Sequence, residues 1–436
     1  MTDVHQATAQ EDTMATARAK ALPTDFWTFW TGQVVSVLGT SFTQFAVPLL
    51  IFQLTHSAVN LALTMAAEFL PYLLFGLLIG AWVDRLDRKR LMIIVDIGMA
   101  FVIGSIPLMA ALEHLTVWWI YGAIFVNQTL FIFFSAAEFA AIPSLVGTDD
   151  LVTANGRIQA SYFAAMVLGP LLAGALVALV PIPALLLVDA ASYLVSAFVL
   201  GLIRTSFNLT VDKERKATSV RQDVVEGLRY VLSHPVLRAI SAMMALVNFV
   251  GTTTNAQLVL FAKERLHATN SQIGLLFAAG GAGVVVFSLA AGRLRKHWSF
   301  SKVALGSLML SGLLTVVFAL VPWFWLAVPT WLLATGVAGL FNINTGSLRQ
   351  AIVPNDLLGR VVSIAGVLAW SAIPLGALLG GLAIQWTRNV ALVYGAIGVL
   401  MFLIPLAFSF TALGRAEHYL PQQETSSAED PEATSA

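Results

Sequence analysis

Apolar runs broken by short polar stretches recur along nearly the whole chain. A run of about 20 predominantly apolar residues can cross a bilayer as a helix. Twelve such segments can be marked off, at 26–53, 59–83, 91–112, 117–141, 157–180, 183–203, 236–262, 271–292, 302–321, 323–347, 361–386 and 390–413. One long polar interior stretch, 204–235, divides them six and six. Within it Val220, Val224, Val225, Leu228 and Val231 recur at helical spacing among charges, which predicts an amphipathic helix along the membrane surface. The expected architecture is an all-α integral membrane protein of twelve transmembrane helices in two pseudo-symmetric six-helix bundles, 25–203 and 236–414. Residues 1–24 read as a cytoplasmic N-terminal tail without the apolar core of a signal peptide, and 415–436 as an acidic, small-residue, disordered tail.

Repeated motifs support two related halves. Pro143 to Leu151 follows the fourth segment and Pro354 to Arg360 follows the tenth, each a Pro…Asp-Leu loop. Gly169-Pro170-Leu171-Leu172-Ala173-Gly174 in the fifth is echoed by Pro374-Leu375-Gly376-Ala377-Leu378-Leu379-Gly380-Gly381 in the eleventh. Glycine and proline permit close helix approach and kinks, so Gly169, Pro170 and Gly174 read as a helix-packing hinge.

Composition agrees with membrane insertion. Hydrophobic residues make up 58% of the chain and charged residues 11%, against about 25% charged in a typical soluble domain. With both termini in the cytoplasm, every basic residue of the 24 except Lys263, Arg265 and Arg388 falls on the cytoplasmic side, a strong positive-inside bias. Net charge is zero, so nothing points to nucleic acid. There is no cysteine, and the seven histidines all fall in tails or loops, so no metal site or nucleophile constellation is expected within the membrane. An enzyme, a channel filter and a phosphate loop for ATP are all unreadable, and no cofactor is expected.

Between the second and third segments, six of the seven residues from Asp84 to Arg90 are charged. With Gly80, Asp84, Arg85, Arg88 and Lys89, this loop resembles the G-x-x-x-D-R-x-G-R-K loop of the major facilitator superfamily, with Asp87 in place of the second glycine. The resemblance implies a cytoplasmic latch, in which Asp84 meets the start of the eleventh spanner around Arg360. Trp30-x-Gly32-Gln33-x-x-Ser36-x-x-Gly39, Asp189 to Leu194 and Pro354 to Val361 resemble the macrolide-efflux branch, which also contains siderophore exporters similar to the enterobactin exporter. The Gly169-Pro170 pair is similar to the fifth-spanner signature of drug:proton antiporters.

An acid within hydrocarbon costs about 2.5–3.5 kcal/mol or more, so each one needs a reason. Four lie inside the segments: Glu68, Asp96, Glu138 and Asp189. Glu68 stands roughly 18 Å from one end of its helix and about 24 Å from the other, at 1.5 Å per residue. A carboxyl at that depth suits proton coupling, and Asp189 is a second candidate. Both also fit a packing hydrogen bond. Asp96 reads as a structural ion pair with the nearby basic cluster, and Glu138 as a rim charge reaching water.

Polar stripes mark a candidate substrate cavity. Gln33, Ser36, Thr40 and Gln44 fall on one helical face of the first segment, and Asn248, Thr252 and Asn255 do so in the seventh. Asn127 stands above Phe131 in the fourth, and Asn342 heads a face with Thr345 and Arg349 in the tenth. Trp370 and the phenylalanines supply apolar walls. In the superfamily, segments one, four, seven and ten line the central cavity. Interhelical hydrogen bonding is the competing explanation for any one of these residues.

The expected function is proton-coupled antiport exporting small hydrophobic molecules across a bacterial cytoplasmic membrane, by a monomer working through alternating access. A siderophore or metabolite exporter of the same fold is one alternative. A transport-inactive sensor or a scramblase is another.

Overall fold

The computed structural model describes residues 22–83, 85–147, 150–208 and 220–419. Twelve helices there are long and apolar enough to cross a membrane. Spanners one to six are Thr24–Thr55, Ala58–Val83, Arg88–Ala111, Val117–Val146, Leu151–Leu176 and Ile182–Leu202. Spanner seven runs through Pro235–Ala256 and Leu258–Glu264; eight, nine and ten are Asn270–His297, Phe300–Leu320 and Phe324–Ile352. Eleven combines Asn355–Trp370 with Ala372–Thr387, and twelve is Val390–Phe408.

Local chemistry sets the ends. Asp87, the residue that replaces the loop glycine, accepts from the Arg90 N–H at 2.9 Å and caps spanner three. Thr269 and Gln272 form a reciprocal capping box on spanner eight. Four connections turn through left-handed residues, His56, Glu113, His267 and Arg388. Spanner eleven breaks at Ser371 because Pro374 has no N–H to give the Trp370 carbonyl, and its ring crowds that carbonyl. Spanner seven breaks at Gln257, a fully buried side chain whose Nε2 donates to the Ala58 carbonyl at 2.7 Å.

Contacts group the chain into two compact units. The first holds Met1–Leu50 and Leu74–Lys213, and the second holds Ile51–Leu73 and Glu214–Ala436. The leading part of spanner two therefore packs with the second unit, where Ala62 meets Ala256 and Ala377.

The two units repeat one packing scheme. Spanner three packs on four and six in the first, and nine packs on ten and twelve in the second. Spanner five approaches one at Gly169, where a Cβ would stand 2.1 Å from Ser41 Cβ. Spanner eleven approaches seven at Gly376, where a Cβ would stand 1.9 Å from the Phe249 carbonyl oxygen. Pro170 and Gly174 are buried beside Gly169.

The amphipathic linker helix is Val220–Ser233. Its Leu228, Tyr230 and Val231 pack against Leu237, Val353 and Val361, so this part of the apolar face meets protein, while Val225 points outward. Residues 415–419, expected as tail, instead form part of a 3-10 turn, Ala412–Tyr419. Leu413 and Ala416 join the core around Ile240 and Phe300. Glu417 accepts from the Ser301 N–H at 2.7 Å and its hydroxyl at 2.8 Å, at the start of spanner nine. Burial works against the Glu417 charge, but the hydrogen bonds from Ser301 prevail and hold its carboxyl below the usual range.

Candidate transport site

In the first unit, one polar stripe and one acid form a connected network. Spanner six carries Asp189 into the interior, fully buried. Thr40 Oγ1 donates to its Oδ1 at 3.3 Å, Ser192 Oγ lies 3.4 Å from the same oxygen, and the Thr43 hydroxyl donates to Oδ2. Thr40 also shares a hydrogen bond of 3.1 Å with the Tyr193 hydroxyl, which Asn127 approaches from spanner four. Gln33, Ser36, Thr40 and Gln44 line a cavity of about 230 Å³ together with Phe131. Asn127, expected to line the cavity, is buried and is not among its lining residues.

Two acids differ from the sequence reading. Asp96 makes no ion pair with the basic cluster. It is fully buried, lines the same cavity, and neither of its carboxylate oxygens has a hydrogen-bond partner. Glu138 does not reach water as a rim charge; it is 7% exposed, lies beside Asp96, and its Oε1 is unpartnered. The signal for Asp96 is present in the sequence. It shares a buried face with Met92, Met99 and Ile103, at helical spacing.

In the second unit, a cavity of about 430 Å³ brings together Glu68, Asn248, Thr252, Asn255 and Asn342. Met65, Phe69, Met244, Trp331 and Phe341 supply apolar surface. Asn248 Nδ2 donates to the Ala369 carbonyl at 2.9 Å, which ties spanner seven to eleven. Glu68 is half-buried there. Trp370 is not part of this wall; it is half-exposed and meets Tyr72 edge-on at 5.8 Å. Arg349 is buried and its guanidinium donates to Met244 Sδ. Among the described residues no group of histidines, cysteines or acids could hold a metal ion.

At the charged loop, the Arg88 guanidinium donates to the carbonyls of Ala140 at 3.2 Å and Phe207 at 3.3 Å, and Lys89 Nζ donates to that of Ile203. These bonds tie spanner three to the ends of four and six. Arg85 is exposed, and Gly80 lies within the last turn of spanner two. Asp84 and the side chain of Arg360 fall outside what the structure describes.

The sequence model of the family described as transmembrane secretion effector matches residues 16–432. The chain belongs to this family of major facilitator transporters. It is similar to macrolide efflux protein A of Streptococcus pyogenes, 24% identical over 360 residues that span 82% of this chain and 88% of the relative. It is also similar to the multidrug efflux pump Tap of Mycolicibacterium fortuitum, 27% identical over 361 residues, 79% of this chain and 85% of the pump. A bacterial homologue of the lysosomal transporter Spinster shares the fold at a TM-score of 0.74 and 13% identity, covering 91% of this chain and 98% of that one. The nucleoside transporter NupG gives a TM-score of 0.72 at 12% identity, covering 90% of this chain and 100% of that one. The fold is that of a major facilitator transporter, as the sequence resemblance implied, and the relatives are efflux transporters of small molecules.

Proposed function

We propose that the protein is a proton-coupled antiporter that exports bulky, largely apolar small molecules, macrolides among them, by alternating access. One observation carries the reading: Glu68 stands in a cavity of about 430 Å³ among three asparagines and apolar walls. That volume is in the range of small-molecule pockets, and a carboxyl inside a membrane protein is a default site of proton or substrate handling. Asp189, held by three hydroxyls, is the second proton-handling candidate. Asp84, Arg85 and Arg360 would serve the cytoplasmic latch implied by the family loop. The distribution of basic residues supports cytoplasmic termini, and we take the membrane to be a bacterial inner membrane and the transporter to be a monomer.

The test is erythromycin movement in proteoliposomes of the purified chain under an imposed pH gradient. Uphill erythromycin movement that collapses with a protonophore is expected. Equal movement with and without the gradient would refute proton coupling, and no movement at all would refute the export reading for macrolides.

A further inference from the structure

The polar side chains around the cavity of the second unit are of two kinds. Ser311 and Thr335 border the space, but their hydroxyls donate to the carbonyls of Ala334 at 2.9 Å and Gly280 at 3.1 Å. Asn248 likewise commits its Nδ2 to Ala369. These are ordinary bonds between packed membrane helices. Thr252, Asn255, Asn342 and Glu68 border the same space, and their side chains bond to no other described residue. Asn255 and Asn342 are exposed, and Glu68 is half-buried. Polar side chains within a membrane span are costly to keep, and these four do not repay that cost by tying helices together.

All four can pair with hydroxyls. A carboxamide sets an acceptor beside a donor, a threonine hydroxyl is both, and a carboxyl accepts whether or not it carries a proton. A hydroxyl also donates and accepts, so the match survives a flip of either asparagine and a change of protonation at Glu68. Two neighbouring hydroxyls can engage both ends of one carboxamide. The four groups stand round the space on spanners two, seven and ten, not along one edge. A flat base or a peptide bond offers its polar atoms along an edge, whereas a sugar ring bears hydroxyls all round its rim. The C–H faces of such a ring are apolar, and Phe69, Trp331 and Phe341 supply apolar wall. Met65, Met244 and Met401 extend it with thioether chains that adapt to irregular shapes. At about 430 Å³ the space has room for more than the ring alone.

We propose that this cavity recognises a neutral glycosyl group carried on an apolar body, with Asn255 and Asn342 as the specificity-determining partners of its hydroxyls and Thr252 and Glu68 completing the polar ring. The inference rests on the export reading above and names the part of the substrate that this site selects. The apolar wall favours a glycoside over a free sugar, because a free sugar would leave the aromatic and methionine surface uncovered.

Naphthyl β-glucoside is a suitable probe. Naphthyl tetrahydropyranyl ether has the same body and ring without the hydroxyls. Equilibrium binding of both to the purified full-length chain, in a detergent that carries no sugar, is measured for the parent, Asn255→Leu and Asn342→Leu. Each protein is checked for a cooperative thermal transition. The parent should prefer the glucoside by about 30-fold, the worth of two typical hydrogen bonds. Each leucine variant should bind the glucoside about fivefold more weakly and the ether as the parent does. Failure of the parent to bind the glucoside, equal affinity for the two compounds, or an unchanged preference in either variant would overturn the proposal. So would equal weakening of both compounds, which is what a merely structural role predicts. If the variants do not fold, protection decides. The glucoside should slow maleimide labelling of Asn255→Cys, in a chain with no native cysteine, more than the ether or glucose does; equal protection by either one overturns the proposal. Gradient-driven erythromycin transport by a parent that shows no glucoside preference would leave antiport standing and remove the glycosyl site. A glucoside preference without gradient-driven transport would do the reverse.

Discussion

Gly376→Ala is a severe test of the packing between spanners seven and eleven. The added Cβ would stand 1.9 Å from the Phe249 carbonyl oxygen, whereas ordinary contact begins at 3.4 Å, so the helices must part by roughly 1.5 Å. Backbone atoms cannot swing aside as the tip of a long side chain can. Overpacking of this kind costs about 1–3 kcal/mol. The Thr253 hydroxyl, which donates to the Gly376 carbonyl at 3.1 Å, would be strained as well, adding about 0.6 kcal/mol as a typical membrane hydrogen bond. A loss near 2 kcal/mol lowers the thermal midpoint by about 4–8 °C in a unit of this size. Gly366 lies on the same spanner, and a methyl added there would meet nothing within 4 Å, so Gly366→Ala is the matched control and should be neutral or slightly stabilising. The assay is tryptophan fluorescence or light-scattering melting in detergent, with erythromycin binding measured alongside, since Asn248 joins the same two spanners beside the cavity. Equal midpoints for the two variants would refute the close-approach argument.

Glu68→Gln should abolish gradient-driven erythromycin movement in proteoliposomes while the chain remains folded; unchanged proton-coupled movement would rule Glu68 out as the carrier. Cysteines at Gln33, Thr40, Asn248 and Asn255 should be protected by substrate from a polar thiol reagent, whereas Val35→Cys and Val250→Cys, about 200° round the helix from Gln33 and Asn248, should show no protection. Protection at all six positions would mean that the stripes are not the lining. Glu417 has a depressed carboxyl, so its clasp on Ser301 contributes stability above the ordinary carboxylate value of 4.5 and loses it as pH falls through the lower folded value. Trypsin cleavage after Arg415 should therefore stay slow at pH 7 in the parent and accelerate in Glu417→Gln; equal rates would refute the clasp.

The twelve spanners are legible in the sequence because each apolar run is at least as long as the bilayer is thick, and no tertiary contact is needed to see that. Their interruptions are less so. Pro374 signals the break at Ser371, but the break at Gln257 is stabilised by a carbonyl nearly two hundred positions away, at Ala58. The stripes of spanners one and seven follow from periodicity, and both line cavities. Trp370 suits a cavity wall by its chemistry alone, without a face to constrain it, and it lies outside both. Asp96 misleads because its closeness along the chain to the basic cluster outweighs its place on the Met92–Met99 face. The turn at 415–419 misleads because its composition resembles the tail that follows it, and its partners, Ser301 and the core around Ile240 and Phe300, lie more than a hundred positions away.

Spanner two belongs to both units, and this bears on how the protein can be divided. Cutting the chain in the linker looks like the natural way to obtain two separate six-helix fragments. The fragment starting near residue 214 would lack Ala58, Ala62, Met65 and Glu68, and with them the partner of Gln257 and the acid of its own cavity. It would emerge from the ribosome with an open seam along spanners seven and eleven. The C-terminal fragment should thus be recovered folded only when a fragment carrying the leading part of spanner two is made with it.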